Sequence, residues 1–210
     1  MSLIAENLRQ RHAESFRAFV EHPFFAAAAN GTLSPTARDR YFLNERHFVG
    51  AARGIFAHLL IKAPGLSSSR HLIGILGGLV NEQELLFDQI FASLSLSTCS
   101  SPRPAALVLD QGMTEIARER PYAAGIAAML AAESAYRQVA TSFDWESTAS
   151  DSTMRDWFRL HAEVRYLDGV SWLEDEIDRV NSTESTSAID QAFLDAILLE
   201  IAFHDDALSE

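Results

Sequence analysis

The chain has 210 residues, 48% hydrophobic and 22% charged, which is typical of one globular domain and excludes a disordered polypeptide. Its 29 acidic and 17 basic residues give a net charge of -12, so electrostatic repulsion argues against binding to nucleic acid. The lone cysteine, Cys99, cannot form an internal disulfide, and we find neither a signal peptide nor an apolar stretch of the ~20 residues that a membrane span needs. We therefore expect a cytoplasmic protein that does not contact membranes.

Helical periodicity recurs along the chain, and no stretch shows the strict alternation of a β-strand. The Ser34-Pro35 pair predicts a helix N-cap followed by proline at the first helical position. Thr153 and Asp156 have the spacing of a capping box. The predicted helices span residues 3–20, 23–30, 35–63, 67–96, 103–119, 121–143, 153–180 and 187–208. This pattern predicts a single domain over residues 1–210, an all-α bundle of seven to eight helices.

Several local motifs follow one another in an order that resembles the TenA/PqqC family. They are His22-Pro23-Phe24, the turn Gly31-Thr32-Leu33, and the segments 40–48, 80–88, 156–166 and 199–204. The resemblance covers nearly the whole chain, and it implies the haem-oxygenase-like fold of that family. It also implies a homodimer or a homotetramer.

The resemblance further implies a thiaminase II-type hydrolase that needs no cofactor and cleaves thiamin or an aminomethyl-pyrimidine breakdown product. Glu45 then occupies the position of the carboxylate that binds the substrate, and Tyr41 and Phe48 lie on the same helix face. Without a substrate role, Glu45 would form an interior ion pair with Arg46 or Arg53.

Glu200 matches the glutamate that moves protons in the family. Its apolar neighbours would raise its carboxyl pKa toward the operating pH, which suits general acid–base work. The structural alternative is a glutamate on the solvated face of the last helix. Tyr136 matches a tyrosine that lines the substrate pocket, and we expect Phe203 to line it as well.

The nucleophilic cysteine of the family is replaced here by Ala132, so its covalent route is not available at this position. The adjacent Glu133 is a candidate substitute, or else a surface glutamate. We interpret Cys99 as an incidental thiol in a serine-rich loop. Leu109 and Phe48 stand where tyrosines are expected, which makes the pocket less polar and leaves the ligand open.

One branch of this fold binds two irons, which offers a metal-dependent oxidase as an alternative. The corresponding positions here are Asn81, Asp88, Glu133, His161, Arg165 and Asp168. Only Glu133 and His161 match outright, and Arg165 places a fixed positive charge where a ligand belongs. We therefore expect no bound metal, and an ion pair between Arg165 and Asp168 or Glu133.

Three functions remain open: a cofactor-independent hydrolase, a non-catalytic or differently specific binder of a small molecule, and the oxidase. The hydrolase hypothesis requires Glu45, Tyr136 and Glu200 to converge on one cavity. The alanine-rich segment 121–130 could belong either to the core or to a subunit interface.

Overall fold

The computed structural model describes residues 3–97, 101–148, 151–180 and 186–209. These residues form α-helices and one π-helical turn, and no β-strand occurs among them. The helices are α1 (Leu3–Arg11), α2 (Ala13–Val20), α3 (Pro23–Ala29), α4 (Pro35–Lys62), α5 (Leu66–Gly78), the π-helical turn (Leu79–Gln83), α6 (Glu84–Leu94), α7 (Pro104–Glu119), α8 (Tyr122–Ser142), α9 (Trp145–Thr148), α10 (Ser152–Leu160), α11 (Val164–Val180) and α12 (Thr186–Leu208).

Helix α8 lies at the centre of the bundle. Every residue from Tyr122 to Ala132 is buried, so the core accounts for this alanine-rich segment. Small side chains let neighbouring helices approach closely. A Cβ atom at Gly125 would lie 2.5 Å from a methyl group of Leu59 on α4, which explains the glycine at this contact. Helices α12, α11 and α4 pack around α8 and bring their inward faces together.

The predicted start of α4 is confirmed. The Ser34 hydroxyl accepts a 3.1 Å hydrogen bond from the backbone N–H of Ala37, and Pro35 occupies the first turn. The capping box predicted at Thr153 is wrong. Asp151 caps α10 instead, because its carboxylate accepts from the backbone N–H groups of Thr153 and Met154.

The helix predicted over 153–180 is also wrong as a continuous element, since it breaks at residues 161–163. The His161 ring bonds to the Trp157 carbonyl oxygen, which would accept from the residue-161 N–H in a regular helix. Three successive N–H groups, from His161 to Glu163, bond instead to the carbonyl three residues back. Val164 then starts α11.

Two other predicted helices are interrupted. The helix predicted over 3–20 divides at His12, whose dihedral angles (φ −107°, ψ 28°) leave the helical region. The helix predicted over 67–96 contains the π-helical turn between α5 and α6. The short helix α9 lies in a segment predicted as a loop. None of the helices in the described residues is long and apolar enough to cross a membrane.

Candidate active site

Three glutamates from three helices share one buried region of the bundle: Glu45 on α4, Glu133 on α8 and Glu200 on α12. Glu45 is 8% exposed and Glu200 is 2% exposed. The interpretation of Glu200 as a solvated residue is therefore wrong. Each of these two carboxyl groups feels the charge of Glu133, which shows that the three lie within electrostatic range of one another.

Neither Arg46 nor Arg53, the predicted partners of Glu45, forms an ion pair with it. Arg46 pairs with Asp88 at 2.9 Å, and Arg53 pairs with Glu84 at 3.0 Å, both on the outer side of α4. The predicted interior ion pair is therefore wrong. Arg46 lies about 100° around the helix from Glu45. The Arg53 side chain is 45% exposed, and both arginines reach carboxylates of α6 instead.

The pKa of each carboxyl group is raised. Burial raises the pKa of Glu200 well above its ordinary value, and the charges of Glu45 and Glu133 add to this effect. Burial, followed by Glu133 and Asp110, raises the pKa of Glu45 to about 8. Burial raises the pKa of Glu133, and a hydrogen bond with Tyr166 opposes this shift in part. The three carboxyl groups therefore disfavour one another's ionisation, which makes proton sharing within the cluster favourable.

A directed set of hydrogen bonds joins the aromatic side chains around these carboxyl groups. The Nδ1–H of His204 donates to the Glu200 carbonyl oxygen at 2.7 Å, so its Nε2 accepts from the Tyr136 hydroxyl at 3.2 Å. The Tyr41 hydroxyl then donates to that of Tyr136 at 3.2 Å and accepts from the Trp157 indole N–H at 2.8 Å. Burial lowers the pKa of His204 to about 3, so its ring is neutral.

A cavity of about 420 Å³ lies beside this cluster, between the π-helical turn, α8, α10 and α11. The lining residues are Phe56, Ile75, Gly78, Leu79, Glu82, Gln83, Leu86, Glu133, Trp157, Leu160, His161, Glu163, Arg165, Tyr166, Gly169, Val170 and Leu173. Glu133 and Trp157 belong both to this lining and to the cluster. They are the physical link between the cavity and the buried carboxyl groups.

Of the side chains predicted to form the site, only Glu133 lines this cavity. Glu45, Tyr136 and Glu200 lie in the core behind its wall, and none of the three lines the cavity. The convergence on one cavity that the hydrolase hypothesis requires is therefore not met in this conformation, and a hydrolase would need a rearrangement that opens this wall. Phe203 is fully buried and packs 6.0 Å from the Tyr41 ring, measured between ring centroids. Phe48 is half-buried against the core, and Leu109 is a core residue on α7.

The cavity is also lined by residues that the sequence did not identify as part of a substrate pocket. The Tyr166 hydroxyl donates to the Glu133 carbonyl oxygen at 3.0 Å and holds α11 against α8. His161 donates from Nδ1 to the Trp157 carbonyl oxygen at 2.8 Å, and burial lowers its pKa to about 4. Trp157, His161 and Tyr166 all lie in the motif at 156–166, which is the sequence feature that could have identified them as cavity residues. Gln83 lies in the motif at 80–88, but nothing in that motif pointed to a role for its side chain.

Of the positions of the two-iron pattern, Glu133, His161 and Arg165 line the cavity, whereas Asn81, Asp88 and Asp168 do not. Asp88 is 62% exposed on its side chain and pairs with Arg46, away from the cavity. The prediction for Arg165 is wrong, since it pairs with Glu82 at the exposed rim. Within the described ranges, no group of three or more His, Cys, Asp or Glu side chains is arranged to hold a metal ion. These residues do not fit a metal centre, and Cys99 lies outside the described residues.

A family model described as the TENA/THI-4/PQQC family matches residues 9–210. No curated protein matches the chain. A TenA family transcription regulator from Silicibacter sp. TM1040 has a TM-score of 0.90 at 19% identity, covering 100% of this chain and 98% of its own. A proposed TenA-like thiaminase from Sulfolobus solfataricus has a TM-score of 0.79 at 16% identity, covering 97% and 94%.

A domain with a haem oxygenase-like fold from Shewanella denitrificans has a TM-score of 0.75 at 15% identity, covering 96% of this chain and 90% of that one. These identities are too low to transfer an activity, but the shared arrangement of helices is the haem-oxygenase-like fold. The family match covers almost the whole length. The chain therefore belongs to the TENA/THI-4/PQQC family.

Proposed function

We propose that this protein is a cofactor-independent hydrolase of the TenA type, acting on an aminopyrimidine or another thiamin-related small molecule. The observation that carries the proposal is the cluster of Glu45, Glu133 and Glu200 beside a cavity. These carboxyl groups have raised pKa values, and no arginine among the described residues pairs with them. Carboxyl groups in such surroundings suit proton transfer near neutral pH.

The positions of the carboxyl groups give each a role. Glu133 faces the cavity, so it would accept a proton from an attacking water. Burial raises the pKa of Glu200, so it would donate a proton to the leaving nitrogen once a rearrangement brings it to the cavity. Glu45, also largely protonated at neutral pH, would bind the ring nitrogen and amino group once a rearrangement opens the wall to it.

Hydrolysis then balances without a cysteine nucleophile. The water oxygen bonds to the methylene carbon of the pyrimidine, and the bond from that carbon to the leaving nitrogen breaks. Glu133 takes the proton of the water, and the proton of Glu200 goes to the leaving amine. Proton exchange with solvent then restores both carboxyl groups.

The similar proteins are described in two ways, as a transcription regulator and as a proposed thiaminase. The net charge of -12 argues against DNA binding by this chain, since phosphates would repel it. The buried carboxyl cluster favours the enzymatic description.

The test is turnover of thiamin and of 4-amino-5-aminomethyl-2-methylpyrimidine, with mass-spectrometric detection of the hydroxymethyl product. We expect Glu200→Gln and Glu133→Gln each to lower kcat by about 10²- to 10⁴-fold, the usual contribution of a positioned acid or base. Glu119→Gln, an exposed glutamate on α7, is the matched control and should leave kcat unchanged.

A second function is favoured by one observation, the alanine at position 132. If aminopyrimidines bind to the wild type but are never converted, the protein is a small-molecule binder, and the hydrolase proposal fails. Activity that survives in both glutamine variants would also overturn the assigned roles.

A further inference from the structure

The π-helical turn forms one wall of the cavity and contributes Leu79, Glu82 and Gln83 to its lining. Such turns are rare within α-helices and occur frequently at functional sites. Gly78, directly before the turn, also lines the cavity, and the Arg165 guanidinium covers it closely. A ligand bound in the cavity would therefore contact the π-helical turn.

The carboxamide of Gln83 is incompletely hydrogen-bonded. Its Oε1 atom is buried and has no partner among the described residues. Three other side chains in the described parts of the chain have such an atom, namely His12, Arg46 and Asp110, and none of them lines this cavity. Buried acceptors are seldom left unpaired in native proteins, because the lost hydrogen bond to water is not replaced.

The other polar groups of the inner wall also accept hydrogen bonds. Glu133 contributes its carboxyl group to this wall. The Nδ1–H of His161 is committed to the Trp157 carbonyl oxygen, which leaves Nε2 as an acceptor. Among the donors in the lining, Arg165 lies at the exposed rim and pairs with Glu82. The Tyr166 hydroxyl donates to the Glu133 carbonyl oxygen, and the Trp157 indole donates to Tyr41.

We propose that Gln83 is a specificity-determining residue, whose carboxamide oxygen accepts a hydrogen bond from an N–H group of the bound ligand. A wall of acceptors selects ligands rich in N–H donors, such as amines, amidines and amino-heterocycles, over carboxylates. The identity of the ligand as an aminopyrimidine rests on the proposed function, whereas the requirement for an N–H donor rests on the wall itself.

The experiment compares wild type, Gln83→Leu, Gln83→Glu and Gln89→Leu by calorimetric titration. Gln89 is exposed on α6 and provides the matched control. The probes are 4-amino-5-aminomethyl-2-methylpyrimidine and, as an amidine unrelated to thiamin, benzamidine, with benzoate as the anionic counterpart. We expect Gln83→Leu to weaken binding of the donor probes about 10- to 100-fold, and Gln83→Glu to keep binding within about fivefold of wild type.

Thermal unfolding provides the second readout. A purely structural glutamine would lower Tm when it is replaced. A binding residue with an unpaired acceptor should leave the Tm of the ligand-free Gln83→Leu variant equal to wild type or higher. Gln89→Leu should change neither the affinity for the donor probes nor the preference for benzamidine over benzoate.

The possible outcomes separate the two proposals. Binding of either donor probe that depends on Gln83 supports this inference. If that dependence is seen with benzamidine while no pyrimidine binds, the proposed function fails and the inference stands. Equal affinity of wild type and Gln83→Leu, tighter binding of benzoate than benzamidine, or no binding of either donor probe would overturn it.

Discussion

The hydroxyl groups of Tyr41 and Tyr136 lie 3.2 Å apart and join α4 to α8 in the buried core. Each hydroxyl also forms a second hydrogen bond. The Tyr41 hydroxyl accepts from the Trp157 indole N–H, and the Tyr136 hydroxyl donates to His204 Nε2. Removal of either hydroxyl therefore leaves a buried polar group without its partner.

We expect Tyr41→Phe and Tyr136→Phe each to lower the free energy of unfolding by about 1–3 kcal/mol, the cost of an unsatisfied buried group. The double variant should lose less than the sum of the two, by about 0.5 kcal/mol or more, because both changes break the same contact. Urea denaturation at pH 7 measures this coupling. Strict additivity would mean that the two hydroxyl groups do not interact.

The pKa of Glu45 predicts how its substitution changes stability with pH. The folded state raises this pKa from 4.5 to about 8, so between these values the folded chain holds a proton that the unfolded chain releases. The contribution of Glu45 to stability is complete below pH 4.5 and is lost as pH rises toward 8. Glu45→Gln cannot ionise and avoids this loss.

Relative to wild type, Glu45→Gln should therefore gain about 1–3 kcal/mol of stability between pH 5 and pH 8.5, since one pKa unit corresponds to about 1.4 kcal/mol. Denaturation at a series of pH values gives this difference directly. Glu119→Gln, at an exposed position on α7, is the control variant. A Glu45→Gln difference that is constant with pH would mean that Glu45 ionises normally in the folded protein.

The contact between Gly125 and Leu59 predicts a large effect from one methyl group. A Cβ at Gly125 would lie 2.5 Å from Leu59 Cδ2, so Gly125→Ala should cost about 1–3 kcal/mol through overpacking between α8 and α4. Gly54→Ala is the matched control on α4, where no atom lies within 4 Å, and should gain about 0.5–1 kcal/mol in helix propensity. Equal effects of the two substitutions would show that α8 and α4 are less tightly packed.

The positions of Asp88 and Arg165 predict how the protein responds to metals. We expect Fe²⁺ and Mn²⁺ to leave the Tm of the wild type unchanged, because Asp88 binds Arg46 and Arg165 occupies a ligand position. Arg165→His should not create a site, since Asp88 still lies on the other side of its helix. A rise in Tm that depends on metal concentration, together with bound metal measured after desalting, would revive the oxidase hypothesis.

Much of the architecture was predictable from the chain alone, because helical periodicity and capping are local. Ser34 and Pro35 mark the start of α4 in sequence and in structure. The breaks were harder to predict. The end of α10 depends on the His161 ring taking the Trp157 carbonyl oxygen, which no periodicity indicates. Asp151 and Asp156 both lie near the start of α10, and only the folded structure shows that Asp151 accepts from the free N–H groups there.

The sequence by itself determined the helical class, the family and the choice of Glu45, Glu133 and Glu200 as the carboxyl groups to examine. Only the tertiary structure decided that these three share one buried region, that Glu133 faces the cavity, and that Gln83 completes its wall. The physical reason is that a carboxyl pKa and an unpaired acceptor depend on solvent exclusion and on neighbours from distant helices. Those quantities arise only when α4, α8 and α12 pack together.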